Sequence, residues 1–155
     1  MIIKFTKLEC QAYDKSFAEF KMCQLKVIGR DKIALNIHAN LHEKPLNNIT
    51  LSAQLFRKSN DFRPFLYNDT FDFCLFMKNS NRFLFWKTLV QDLSHHSNIN
   101  HTCPYDHDII VKNMVLEEGI LKHLPFPSND YMIQLKFWSF NDLKARVKIY
   151  IVIVE

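Results

Sequence analysis

"DKIALNIHANL", residues 31–41, alternates in hydropathy along its whole length. Ile33, Leu35, Ile37, Ala39 and Leu41 fall on one side, and Ala34, Asn36, His38, Asn40 and His42 on the other. Successive side chains of an extended chain point to opposite faces, so this is a strand with one face against a core. The same rhythm returns in "ITLSAQL", where Ile49, Leu51, Ala53 and Leu55 oppose Thr50, Ser52 and Gln54. "DTFDFCLF" places Phe71, Phe73 and Leu75 together, and "YMIQLKFW" does so with Tyr131, Ile133, Leu135 and Phe137. "ARVKIYIVIV" carries Ala145, Val147, Ile149, Ile151 and Ile153 on one face. Residues 2–13 and 19–28 alternate less well and meet at "YDKSF", which reads as a hairpin turn. Asn141-Asp142 marks another turn, between the last two strands.

One stretch breaks this rhythm. In "SNRFLFWKTLVQDLSHH", residues 80–96, Phe83, Trp86, Leu89, Val90 and Leu93 recur at helical spacing. This predicts one helix over about 81–95, with Ser80 or Asn81 as N-cap. Many short strands and one inserted helix indicate an all-β fold, an immunoglobulin-like two-sheet β-sandwich.

The chain's 155 residues suit a single domain over 1–155, and with 14 Phe among them it can bury a large core. Two Gly exclude nucleotide-binding glycine loops. The net charge is +4, but Lys and Arg are scattered, so nucleic acid is not expected as a partner. No apolar run approaches the ~20 residues of a membrane span. The start, "MIIKFTKLEC", lacks the marks of a signal peptide, which leaves a cytosolic protein or a mature chain without its leader. Four Cys and three Asn-X-Thr sequons, at Asn48, Asn68 and Asn100, favour the secreted, extracellular alternative and a glycoprotein.

"NINHTCPYDHD", residues 98–108, concentrates one sequon, Cys103-Pro104 and two histidines in a polar connection. A metal site there needs His95, His96, His101, His107 and Cys103 to converge, with neither zinc-finger nor His-Glu-X-X-His spacing present. A catalytic thiol with His101 or His107 as base needs Cys103 free and activated. A disulfide-stapled corner needs neither. Four cysteines allow three pairings. Cys10 and Cys23 flank the first turn at similar distances, which favours a bridge between them and leaves Cys74 with Cys103. No metal, cofactor or catalytic residue is expected.

The second half, Cys103-Pro104 followed by a strand and then "LPFPSNDYMIQLKFWSFNDLKARVKIYIVIV", resembles the ML lipid-recognition family. Pro125, Pro127, Trp138, Asn141 and Asp142 stand at the places that pattern requires. The whole chain is similar to an insect group of small secreted proteins related to the CheB chemosensory proteins. It shares "PFLYN" at Pro64–Asn68, "FDFC" at Phe71–Cys74, a following helix, and Asn100 before Cys103-Pro104-Tyr105. The last strand lacks a cysteine that many ML proteins carry there.

The resemblance implies a sandwich that holds a fatty acid, sterol or hydrocarbon-like pheromone between its sheets. The lining expected from the inward faces is Leu35, Ile37, Leu51, Leu55, Phe71, Phe73, Ile133, Leu135, Phe137, Ile149 and Ile151. Phe83, Phe85 and Trp86 would roof it, and Phe126, between Pro125 and Pro127, would sit at its mouth. Lys44, Arg57, Lys58 and Arg63 are candidate headgroup contacts. Alternation does not separate a cavity from a filled core. The competing expectation is therefore an extracellular interaction domain with a filled interior, bound to a protein or receptor.

Overall fold

The computed structural model describes residues 1–117, 119 and 126–155; Pro125, one of the sequence-pattern prolines, lies outside them. Eight strands form: β1 (Ile2–Ala12), β2 (Ala18–Gly29), β3 (Lys32–Leu41), β4 (Thr50–Ser59), β5 (Asp61–Asp72), β6 (Ile109–Met114), β7 (Asn129–Ser139) and β8 (Asp142–Val154). Two helices, α1 (Phe73–Lys78) and α2 (Leu84–Ser94), lie between β5 and β6. All pairings are antiparallel. The strands make a five-stranded sheet, β1-β8-β7-β4-β5, and a three-stranded sheet, β2-β3-β6. This is a two-sheet β-sandwich. Among the described residues, no helix is long and apolar enough to cross a membrane.

The alternating faces meet between the sheets. Ile3 and Phe5 of β1, Leu51, Ala53 and Leu55 of β4, Tyr131 and Ile133 of β7, and Ile151 and Ile153 of β8 pack with Leu35 of β3 and with Val111 and Met114 of β6. Asn36 points away from this core yet is buried. The β3–β6 register shifts beside it, and the Asn113 N–H donates to Asn36 Oδ1 over 3.0 Å. The β7–β8 turn forms at Phe140 and Asn141, both with positive φ. Pro64, which has no N–H to give, is accommodated because β5 is an edge strand.

Four local expectations need correction. Residues 13–17 do not close a hairpin. β1 pairs with β8 and β2 with β3, so the chain crosses there from one sheet to the other. Phe73, Cys74 and Leu75 do not continue the strand of Phe71. Asp72 caps α1, its Oδ1 accepting from the Leu75 N–H over 3.0 Å, and the chain turns helical. The sandwich therefore carries two helices rather than one. The second begins at Leu84, with Phe83 at the N-cap position and no side-chain cap. Ser80 and Asn81 do not cap it, and Asn81 Oδ1 accepts instead from Lys87 Nζ.

Both expected disulfides are present. Cys74–Cys103 joins α1 to the polar connection and closes the excursion that holds both helices. Cys10–Cys23, with Cα atoms 6.2 Å apart, links β1 to β2 and so ties one sheet to the other.

Candidate functional site

α2 closes one end of the sandwich. Its helical periodicity turns Phe85 and Trp86 inward, both buried. The Phe85 ring stacks on Tyr67 of β5 with centroids 4.2 Å apart and meets Trp86 edge-on at 4.7 Å. Trp86 Nε1 donates to Asp69 Oδ2 over 2.7 Å, fastening α2 to β5. Phe126 packs on Tyr131 with centroids 5.3 Å apart, and Tyr131 Oη donates to the Pro127 carbonyl over 2.7 Å. Burial pushes the Tyr131 hydroxyl above its ordinary range.

Beneath these rings lies a cavity of about 20 Å³. Leu55, Tyr131, Ile133, Ile151 and Ile153 of the five-stranded sheet form its floor. Phe85 and Leu89 of α2, Leu116 after β6, and Phe126 close it. Every wall is apolar or aromatic. A void of this size is about one water across, and a site with no polar partner does not hold one.

Of the expected lining residues, Leu55, Phe126, Ile133 and Ile151 border the cavity. Leu35, Leu51 and Phe71 are buried in the surrounding core, and Ile37, Leu135, Phe137 and Ile149 are half-buried against it. Phe73 is half-buried against the same core and, with Phe137, packs also against Phe17, Ala18, Leu41 and Ile49 at the other end of the strands. Trp86 is buried but turns its indole N–H to Asp69. Leu89, Leu116, Tyr131 and Ile153 were not expected at a site. Alternation placed Tyr131 and Ile153 on the correct face, but it does not say where along a strand a gap will open.

Three of the four candidate headgroup cations have neighbours of their own. The Arg57 guanidinium lies 4.3 Å from the Phe65 ring centre, Lys58 lies over Phe62, and Lys44 Nζ is 3.6 Å from Asp108.

The polar connection of residues 95–108 lies toward that other end. Tyr105, 2% exposed, exchanges two backbone hydrogen bonds with Leu46. Asp108 gathers His38 Nε2 at 2.8 Å, Asn40 Nδ2 at 3.1 Å and the Leu41 N–H at 3.1 Å. The His38 hydrogen bond leads in lowering the Asp108 carboxyl to about 2, with the Leu41 N–H and Lys44 adding to it against partial burial. Cys103 is bonded to Cys74, so the catalytic-thiol alternative fails. Asn48, Asn68 and Asn100 are all exposed. Asn68 lies within β5 rather than in a turn or strand end. Among the described residues, no group of three or more His, Cys, Asp and Glu is placed to hold a metal ion.

A family model described as a protein of unknown function (DUF1091) matches residues 51–133, just over half of the chain. The matched segment runs from β4 to the start of β7, and it includes both helices, Cys74 and Cys103. No curated protein matches the chain.

Proposed function

The chain belongs to the DUF1091 family of proteins of unknown function, and we propose for it a secreted binding protein that takes a small apolar ligand between its sheets. The observation that carries this is the cavity beneath α2, walled only by apolar and aromatic side chains. Such walls offer a ligand no polar recognition and no catalytic group, so the activity is binding rather than chemistry. The ligand class is a fatty acid, sterol or hydrocarbon-like molecule, in keeping with the ML-like and CheB-like motifs and a chemosensory role. A buried chain of ten methylenes gains roughly 8 kcal/mol before the costs of association. Admitting it requires α2 and Phe126 to separate from the five-stranded sheet. The two disulfides and three exposed sequons support an extracellular, glycosylated protein.

The small volume of the cavity favours a second reading, an extracellular interaction domain with a filled interior. Leu55 and Tyr131 are each only 2% exposed. Native mass spectrometry of protein from insect cells, with fluorescent fatty-acid titration, separates the two. Co-purified lipid, or saturable probe binding, is expected. An empty protein that binds no probe leaves the interaction domain.

A further inference from the structure

His101 and His107 flank Tyr105 in the polar connection, and their Nε2 atoms lie 2.8 Å apart. Each ring's other nitrogen is committed. His101 Nδ1 lies 2.7 Å from the Thr102 carbonyl oxygen, and His107 Nδ1 lies 2.7 Å from that of Asp108. A carbonyl oxygen only accepts, so both Nδ1 atoms carry hydrogen. In neutral imidazoles this leaves two bare Nε2 lone pairs facing each other across the gap. Two lone pairs at that distance repel unless a cation lies between them.

We propose that His101 and His107 form a binding site for a late first-row transition metal ion of the Cu²⁺, Ni²⁺ or Zn²⁺ class. The donor set suits it: neutral imidazole is the commonest protein ligand for these ions. An Nδ1–H held by a backbone carbonyl is the outer arrangement that fixes the tautomer and aim of metal-bound histidines. The separation is close to what coordination needs. With metal–nitrogen bonds near 2.0–2.1 Å, two cis ligands stand about 2.8–3.4 Å apart. The rings meet nearly head-on, with centres 5.1 Å apart, so coordination requires them to tilt toward a common point as they separate slightly, and His101 is on the surface, where an ion can reach it. Tyr105 holds the frame, its ring packed against both imidazoles and its hydroxyl bonded to the His101 carbonyl. With two protein ligands, the remaining positions go to water or to a group from another molecule.

The test is isothermal titration of the full chain with CuCl₂, NiCl₂ and ZnCl₂ in a non-chelating buffer. One equivalent should bind, tightest for Cu²⁺. His101→Ala and His107→Asn should each weaken it by about tenfold or more. Asn at 107 keeps a donor for the Asp108 carbonyl while removing the Nε2 lone pair, and circular dichroism checks that it folds. His95→Ala/His96→Ala should leave binding intact. No binding at micromolar metal overturns the site. Binding that survives both single variants overturns it equally.

Discussion

The two ends of the sandwich are closed by different chemistry. Beneath α2, Leu55, Ile133 and Tyr131 are covered by rings and aliphatic side chains, with Trp86–Asp69 the hydrogen bond that fastens the helix to β5. Six residues along the chain from Leu55 and from Tyr131, Ile49 and Phe137 belong to an end fixed by the Cys74–Cys103 bridge, the Leu46–Tyr105 pairing and the bonds of Asp108. Apolar contact is non-directional, so under the proposed function the first end is the one that parts to admit a ligand. Disulfides and charged hydrogen bonds demand particular geometry, so the second end stays fixed. The proposed binding role needs both: a rigid frame and a wall that yields.

The largest effect should come from Leu55→Ala, which removes a floor residue of the cavity. It should cost about 2–5 kcal/mol by urea midpoint, because a void is left in a packed region. In the same protein, fatty-acid probe affinity should rise, since the enlarged void needs less opening of α2. A parallel fall in stability and probe affinity would break the contrast between a yielding and a fixed end.

Removing the staple in Cys74→Ala/Cys103→Ala should cost about 3 kcal/mol by releasing the unfolded chain. Probe affinity should stay near that of the parent. If it collapses, the fixed end is part of the ligand site.

The smallest effect is pH-dependent. The folded Asp108 carboxyl is depressed to about 2, while an unfolded one titrates near 3.9. A depressed carboxyl adds stability that is present above pH ~4 and is lost as pH falls through about 2. Asp108→Asn should therefore lower the melting temperature by a few degrees at neutral pH. Its acid limb should be shallower than the parent's between about pH 4 and 2. Unchanged melting curves would remove Asp108 from the account of the fixed end.

Much of the frame was legible in the chain. Alternation assigned the inward faces of β3, β4, β7 and β8, because a period of two is written in neighbouring residues and survives any choice of partner strand. The spacing from Phe83 to Leu93 announced α2 for the same reason. Its start was missed because Ser80 and Asn81 are good capping residues by type, yet Asn81 spends its side chain on Lys87. Phe73 was misplaced because "DTFDFC" alternates as well as any strand, while the Asp72 cap competes locally and wins.

The sequence by itself determined the all-β class and the helix after Phe83, since each depends on local periodicity along the chain; the two cysteine pairs follow from it only through a hairpin at residues 13–17 that the fold does not contain. Only the tertiary structure decided that Cys10–Cys23 ties two sheets together instead of bracing a hairpin. Edge strands with similar patterns are interchangeable until β8 is available to pair with β1. It likewise decided that the interior gap lies at Leu55 and Tyr131, and that two histidines six residues apart meet at their Nε2 atoms. Volumes left unfilled and side chains brought face to face are properties of packing in three dimensions, and no short-range pattern encodes them.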